Sequence, residues 1–313
     1  MNDNATPTRC PVAFDIAVPD SGYRWWYLDG VSHDGDYGIV IIAFVGSVFS
    51  PYYYRARQNG PTPADNYSSI NVCLYRPGGD RWAMTERSRT ALVRDPRSFR
   101  LARSRLAWER DRFVADLRER SAPFGRRING RVELIPRTLN EESYPLDAGG
   151  LHTWHPIAPL ADIRVEFEHP GLSWQGHGYF DMNYGSRMLE LDFTTWDWSR
   201  SAERDSTSIF YVARSVLGDE RHLGLRFLVD GSRSKLDVPP PQALPKSGWQ
   251  VARQPAFTEP VTLARVLEDT PFYTRSLLAD SAGGLHVHES LDMRRFKTAW
   301  VRTLLPFRMP RIA

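Results

Sequence analysis

Apolar and polar residues alternate with a period of two along most of this chain, which is the pattern of half-buried β-strands. Residues 163–168 are an example, because Ile, Val and Phe alternate there with Arg and Glu. The same alternation recurs at residues 113–118, 131–134 and 223–227. Turn residues separate the runs, at residues 77–80, 129–130, 147–150 and 230–231. The pattern predicts an all-β fold in which antiparallel sheets close into barrels or sandwiches.

Helical patterns are few. The strongest covers residues 290–305, where apolar residues recur four positions apart: Phe296, Trp300 and Leu304. Ser290 is the expected N-cap of this helix, and Pro306 is its expected end. A shorter helix is expected over residues 52–58.

The length of 313 residues corresponds to one large domain or two medium-sized domains. The β pattern pauses between residues 185 and 192 and restarts at Trp196. We therefore expect a domain boundary in this interval, with one domain over residues 1–187 and the other over residues 188–313.

The formal net charge is only +3 at pH 7, so no strong field points to a polyanionic partner. Arginines cluster at residues 97–105, and a solvated strand face explains them better than a nucleic-acid site. The pairs His152/His155 and His286/His288 each lack a third ligand, so we assign no metal site. Glu289 is expected in a hydrogen-bond network at a strand end.

Three features of the sequence constrain the cellular location of the protein. Residues 1–4 lack the basic and apolar segments of a signal peptide. The longest apolar run, residues 39–49, is shorter than the ~20 residues that a membrane-spanning helix needs. Cys10 and Cys73 belong to no disulfide or zinc pattern, which fits a reducing compartment. We therefore expect a cytoplasmic protein that is soluble or associated with a membrane surface.

Aromatic residues are numerous, with 10 Trp, 13 Tyr and 15 Phe. Aromatic side chains build deep apolar pockets and also lie at membrane interfaces, and both uses fit a protein that handles an apolar ligand. A large core rich in rings explains the same composition, and composition alone does not separate these interpretations.

The candidate chemistry centres on residues 176–183 (GHGYFDMN), which place one carboxylic acid, Asp181, among glycines and aromatic rings. In an apolar cavity the pKa of a carboxyl group rises, and the group can then carry a proton at pH 7. The alternative is an Asp that caps a backbone turn, which is the commoner role of Asp beside Gly and Asn.

A second cluster, residues 152–156 (HTWHP), precedes the Asp181 segment. In an extended strand His152 and Trp154 share a face, as do Tyr179 and Asp181. A turn at residues 170–171 would bring the two strands together, so that an acid, a hydroxyl group, an imidazole and an indole converge. The alternative is that His152 and Trp154 are ordinary core or loop residues.

Five segments resemble the carotenoid 1,2-hydratase (hydroxyneurosporene synthase) family. They are residues 43–53 (AFVGSVFSPYY), 81–87 (RWAMTER), 176–183 (GHGYFDMN), 267–273 (LEDTPFY) and 305–310 (LPFRMP). The resemblance implies a tandem lipocalin-like (calycin) architecture. It also implies addition of water, without a cofactor, to the C1–C2 double bond of an acyclic carotenoid such as neurosporene or lycopene.

The resemblance assigns the catalytic acid to Asp181 and its supporting residues to His152, Trp154 and Tyr179. In the mechanism that it implies, Asp181 protonates C2 and the rings of Trp154 and Tyr179 stabilise a cation at C1. Water then adds at C1, and His152 or the Asp181 carboxylate takes the surplus proton. A lipocalin-like terpenoid carrier and a pericyclase or cyclase are the alternative functions. The sequence leaves the oligomeric state open.

A membrane surface is an expected partner, because a linear carotenoid is about as long as the bilayer core is thick, about 30 Å. Basic and aromatic residues mix near the C-terminus as in a surface-binding element: Arg294, Arg295, Trp300, Arg302, Phe307 and Arg308. The alternative is an ordinary packing helix.

Overall fold

The fold is described from a computed structural model, which places residues 10–312; residues 1–4, discussed above, lie outside this described part. Twelve strands come first in the chain: β1 Tyr23–Ser32, β2 Gly38–Val45, β3 Ser68–Tyr75, β4 Arg81–Arg87, β5 Leu92–Asp95, β6 Ser98–Leu101, β7 Ser104–Glu109, β8 Arg112–Arg120, β9 Arg127–Thr138, β10 Tyr144–Pro145, β11 His152–His169 and β12 Leu172–Gly185. Eight more follow: β13 Phe193–Ala202, β14 Ser206–Ser215, β15 Glu220–Leu228, β16 Arg233–Leu236, β17 Val261–Asp269, β18 Tyr273–Asp280, β19 Leu285–Asp292 and β20 Arg311–Ile312.

Helices are short. The described part contains four α-helices and two 3-10 helices: α1 Pro51–Arg57, α2 Leu189–Asp192, α3 Met293–Phe296, α4 Ala299–Arg308, and the 3-10 segments Ala64–Asn66 and Arg89–Ala91. None of these helices has the length and apolar character that crossing a membrane requires.

Two sheets account for all the strands of residues 10–312. The first sheet has the order β20-β4-β3-β2-β1-β12-β11-β9-β8-β7-β6-β5, with β10 attached to β11. The second has the order β16-β15-β14-β13-β19-β18-β17. Strand neighbours are antiparallel except for β20 beside β4. The all-β prediction is confirmed, but each sheet keeps two edge strands, so closed tandem barrels are not confirmed.

The strand predictions from alternation are confirmed. The four alternating segments lie in β8, β9, β11 and β15. In β11 the apolar side chains of residues 163–167 are buried and the intervening charged ones are exposed. The short helix predicted over residues 52–58 is present as α1, and the Ser50 side chain accepts hydrogen bonds from two backbone N–H groups of its first turn.

The long C-terminal helix predicted over residues 290–305 is wrong in extent. Ser290 lies in β19, which pairs with β13 as far as Asp292, so strand pairing overrides the helical pattern. Asp292, not Ser290, caps the short helix α3. In α4 the buried residues are Val301 and Leu305, while Pro306 lies inside the helix instead of ending it.

The turn predicted at residues 129–130 is also wrong, because both residues lie inside β9. Gly130 pairs with Phe167 of β11. A Cβ atom at Gly130 would lie 2.4 Å from Phe167 Cγ and 2.5 Å from the Glu166 carbonyl oxygen. Glycine is required here by the close approach of the neighbouring strand, not by a turn.

The core is continuous between the sheets, since apolar residues of β1, β2, β11 and β12 form one cluster with those of β13, β14, β18 and β19. The chain passes from the first sheet to the second between Gly185 and Phe193, and Arg311–Ile312 returns to the first sheet. The two-domain division at residue 187 stays a prediction.

Gly130→Ala should destabilise the protein, because the added methyl group forces β9 away from Phe167 and the β11 backbone. We expect the free energy of unfolding to fall by about 1–3 kcal/mol. Urea denaturation followed by circular dichroism measures the change. Gly171→Ala is the matched control, because nothing lies within 4 Å of a Cβ at that turn position. Equal stability of the two variants would contradict the packing role.

Candidate active site

An apolar cavity of about 410 Å³ lies between the two sheets. Strand β1 contributes Trp25 and Tyr27 to its wall, and β13 contributes Trp196 and Trp198 from the opposite sheet. Asp181 of β12 also lines the cavity. A carboxyl group therefore lines a space that is walled by aromatic and aliphatic side chains.

Asp181 is only 3% exposed and sits in the middle of β12. Its Oδ2 atom accepts hydrogen bonds from Trp154 Nε1 at 2.8 Å and from the Tyr179 hydroxyl group at 2.6 Å. Its Oδ1 atom is buried and has no hydrogen-bond partner among residues 10–312. The interpretation of Asp181 as a turn cap is wrong, because the residue belongs to a regular strand.

Burial raises the pKa of Asp181 to about 8. The hydrogen bonds from Tyr179 and Trp154 act in the opposite direction, since they stabilise the carboxylate, while the negative charges of Glu289 and Asp29 raise the pKa further. Asp181 therefore holds a proton at neutral pH. With Oδ2 occupied by two donors, Oδ1 is the oxygen left to carry this proton.

Three of the four predicted site residues meet as expected. Trp154 and Tyr179 are fully buried behind Asp181, and their side chains contact each other at 3.1 Å as well as the acid. The hairpin of β11 and β12 brings them together, as the turn at residues 170–171 predicted. Neither ring lines the cavity.

His152 is placed apart from this group. Its Nδ1 atom is 2.9 Å from the Tyr23 hydroxyl oxygen, and its Nε2 atom is 2.9 Å from Asp192 Oδ2. Both ring nitrogens are thus engaged away from Asp181, at the start of β11. The expected convergence of four side chains holds for three of them.

A buried cluster of charged residues, which we call the inter-sheet ion cluster, lies beside the cavity. It comprises Asp29 of β1, Arg200 of β13, Arg275 of β18 and Glu289 of β19. Asp29 accepts hydrogen bonds from Arg200 and Arg275, both at 2.5 Å, and Arg275 also pairs with Glu289. The anionic neighbours raise the pKa of Arg275 even though burial alone lowers it.

Sequence reasoning missed most of the cavity wall. The signal was present, because Trp25 with Tyr27 and Trp196 with Trp198 are aromatic pairs spaced two apart in strands, which places each pair on one face. The expected place of Glu289 at a strand end is wrong. Glu289 lies inside β19 and lines the cavity.

These features define a class of protein: two curved β-sheets that enclose a largely apolar cavity with the protonated carboxyl group of Asp181 in its wall. The sequence model of the carotenoid hydratase CrtC family matches residues 41–313. The acyclic carotenoid 1,2-hydratase of Thiocapsa roseopersicina is 42% identical, with 98% of this chain and 77% of the relative covered. That of Rubrivivax gelatinosus is 43% identical, with 96% and 76% covered. The chain belongs to the carotenoid hydratase family.

Solved structures share the fold at low sequence identity. A putative AttH from Nitrosomonas europaea superposes with a TM-score of 0.60 at 14% identity, covering 86% of this chain and 91% of the other. CghA in complex with Sch210972 gives a TM-score of 0.54 at 10% identity, covering 90% and 95%. Similarity at this level shows a shared arrangement of strands and does not show a shared activity.

The raised pKa of Asp181 predicts a pH-dependent stability. Between about pH 4 and pH 8 the folded protein holds a proton at Asp181 that the unfolded chain has released, so its stability falls as the pH rises, by about 1.4 kcal/mol per pH unit. Asp181→Asn lacks this dependence. Its free energy of unfolding should therefore gain about 3 kcal/mol relative to the wild type between pH 5 and pH 7.5.

Urea denaturation of both proteins at the two pH values measures the difference. Asp197, whose pKa burial also raises, to about 7, contributes equally to both proteins and cancels. Asp15→Asn, at an exposed carboxyl group, is the control and should follow the wild type. Parallel pH dependences of the Asp181→Asn variant and the wild type would mean that Asp181 is ionised in the fold.

Proposed function

We propose that this chain is an acyclic carotenoid 1,2-hydratase, a hydro-lyase that adds water to the C1–C2 double bond of a carotenoid such as neurosporene or lycopene. The observation that carries the proposal is Asp181, a protonated carboxyl group in the wall of an apolar cavity, whose Oδ1 atom receives no hydrogen bond from residues 10–312. An isolated alkene is a very weak base, so it needs an acid that is shielded from bulk water and well placed.

The reaction begins when Asp181 Oδ1 transfers its proton to C2, which leaves a tertiary carbocation at C1. The rings of Tyr27 and Trp198 line the cavity next to Tyr179, with ring centroids 6.1 and 5.3 Å from the Tyr179 ring, and stabilise the cation. Water adds at C1 and releases a proton, by which the acid is restored. The product is a 1-hydroxy-1,2-dihydro carotenoid, and no cofactor is needed.

Trp154 and Tyr179 support Asp181 through hydrogen bonds and do not line the cavity themselves. Their two donors on Oδ2 orient the carboxyl group and stabilise the carboxylate that proton transfer creates. One face of the Tyr179 ring lies 5.3 Å from the Arg200 guanidinium carbon, so this ring is already paired with a cation. We assign the cation-facing role to the rings that line the cavity instead.

His152 acts as a positioning residue in this proposal. Through Tyr23 it ties the start of β11 to β1, and through Asp192 it ties the same strand to α2. Trp154 lies two residues further along β11, so the position of its indole N–H depends on how this end of the strand is held.

The substrate enters from a membrane surface, and the protein is a cytoplasmic enzyme that docks there. The cavity wall includes Leu304 and Phe307 of α4, which are 43% and 75% exposed, so the cavity reaches the surface at this helix. Trp300 stacks on Trp249 in the same region, with ring centroids 6.0 Å apart. Exposed apolar residues around an opening suit insertion into the interfacial region of a bilayer.

The basic residues of this region are partly committed to the protein. Arg302 lies 4.1 Å from the centre of the Tyr54 ring, and Arg308 lies 4.5 Å from that of Trp82. Arg294 forms an ion pair with Asp292, and Arg295 donates to two backbone carbonyl groups. Apolar contact, more than charge, therefore drives the proposed docking.

We also propose that the two sheets correspond to two lipocalin-like (calycin) units, residues 1–187 and 188–313. The change of sheet between Gly185 and Phe193 supports this division. Because β20 joins the first sheet and the core is continuous, the two units would depend on each other for stability.

Asp181→Asn should lower kcat roughly 10⁴-fold, because an amide cannot supply the proton. In the wild type, activity should fall as the pH rises through about 8, where Asp181 ionises. Tyr179→Phe should be milder and should move this limb to higher pH, because it removes a hydrogen bond that lowers the pKa of Asp181. Mass spectrometry of products from lycopene, with kcat measured over pH 5–9, checks all three.

Product mass also separates the proposal from its alternatives. Hydration adds the mass of one water, a cyclase returns an isomer of unchanged mass, and a carrier returns the substrate itself. Near-normal hydration by the Asp181→Asn variant would refute the assignment of the acid.

Trp300→Ser should weaken membrane binding roughly tenfold, because burying a large apolar side chain contributes about 1.5–3 kcal/mol. Sedimentation with vesicles of phosphatidylcholine and phosphatidylglycerol measures the bound fraction. Val93→Ser is the control, since Val93 is an exposed apolar residue on the edge strand β5 that does not line the cavity. Equal binding by both variants would show that α4 does not dock.

A further inference from the structure

The inter-sheet ion cluster presents one carboxylate to the cavity. Glu289 lines the cavity, whereas Asp29 is fully buried beneath it. Glu289 Oε1 is held by Arg275 Nη1 and by the Tyr27 hydroxyl group, the latter at 2.7 Å. Its Oε2 atom receives no hydrogen bond from residues 10–312. One oxygen is thus fixed by the protein, and the other is available to a molecule in the cavity.

Tyr27 connects this carboxylate with the acid. Tyr27 is the strand partner of Asp181 across β1 and β12. Its hydroxyl group accepts from Arg275 at 2.5 Å and has one hydrogen to donate, for which the Glu289 contact at 2.7 Å is shorter than the Asp29 contact at 3.3 Å. Asp181 and Glu289 therefore flank the same tyrosine.

Aromatic rings fill the space around these two carboxyl groups. Trp198 is the strand partner of Glu289 across β13 and β19. Its ring centroid lies 6.0 Å from that of Tyr27 and 5.3 Å from that of Tyr179. A cation formed next to Asp181 would lie beside the rings of Tyr27 and Trp198, and Glu289 is one of the other carboxyl groups that line the same cavity.

We propose that Glu289 is the catalytic base that binds the attacking water and takes its surplus proton. This proposal rests on the proposed hydration. The two carboxyl groups have different surroundings: Asp181 is buried without a counter-ion, whereas Arg275 forms an ion pair with Glu289. Two carboxyl groups whose surroundings favour different protonation states form an acid–base pair.

The proposed step balances. The water oxygen, hydrogen-bonded to Glu289 Oε2, forms a bond to C1, and one O–H bond breaks as its hydrogen passes to Glu289. The products are the neutral tertiary alcohol, neutral Glu289 and the Asp181 carboxylate. Transfer of the proton from Glu289 to Asp181 through cavity water restores the starting state, so the net reaction consumes only the alkene and water.

His152 is a poorer candidate than Glu289 for the role of catalytic base. Its ring nitrogens are engaged by Tyr23 and Asp192, and it does not line the cavity. Glu289 needs no rearrangement to meet a water molecule there. Glu289 also forms an ion pair with Arg275. This pairing offsets the positive charge that the inter-sheet ion cluster would otherwise direct toward the carbocation.

The test is Glu289→Gln, which keeps the shape of the side chain but cannot take a proton. We expect kcat for lycopene hydration to fall roughly 100-fold or more at pH 6 and at pH 8, with KM within about twofold of the wild type. A purely electrostatic role gives another result. Loss of the Glu289 charge would then lower the pKa of Asp181, so activity would be lost at pH 8 and recovered at pH 6.

Two further variants separate catalysis from folding. Glu289→Asp keeps a carboxylate and should retain at least roughly tenfold more activity than Glu289→Gln. Glu86→Gln removes one partner of another buried ion pair, with Arg311, outside the cavity, and should keep wild-type kcat. If Glu289→Gln does not fold, Tyr27→Phe replaces it, since it removes one of the two donors that hold Glu289 Oε1 without changing charge and should also lower kcat at both pH values.

The outcomes distinguish this inference from the proposed function. If the wild type forms no hydrated product, the proposed function fails. If the wild type hydrates lycopene and Asp181→Asn does not, while Glu289→Gln matches the wild type at pH 6, only the role of Glu289 is overturned.

Discussion

Asp29 of the first sheet joins the two sheets through ion pairs beside the cavity that Asp181 lines. It accepts hydrogen bonds from Arg200 and Arg275 of the second sheet, and all three side chains are at most 3% exposed. Removing one member would leave a buried charge without its partner, which costs about 3–5 kcal/mol. Because Asp29 lies two residues from Tyr27, whose strand partner is Asp181, these ion pairs determine how the aromatic wall of one sheet faces the acid of the other.

The two carboxyl groups that we propose as acid and base have different hydrogen-bond partners. Asp181 receives only neutral donors, from Trp154 and Tyr179, and burial keeps its proton in place. Glu289 receives a guanidinium group. The contrast depends on which strand each residue occupies: β12 offers rings beside the acid, whereas β19 faces Arg275 on β18.

Several local features could be predicted from the sequence. Alternation at residues 163–168 predicted β11, and the turn at residues 170–171 predicted the hairpin that joins Trp154 to Asp181. The helix over residues 290–305 could not be predicted correctly, since pairing of β19 with β13 outweighs the helical spacing of its apolar residues. Gly130 resembles a turn residue in sequence, and only the approach of Phe167 explains it.

Local patterns in the sequence were enough to predict the class of fold and the hairpin that carries Asp181, because strand periodicity and turn residues act over short distances along the chain. Only the packing of the folded chain turns His152 toward Tyr23 and Asp192 and brings Tyr27, Trp198 and Glu289 into the wall of the cavity that Asp181 lines. Tyr27 and Glu289 are separated by 262 positions, yet they are hydrogen-bonded. Contacts of that kind arise from the packing of one sheet on the other, which no local pattern encodes.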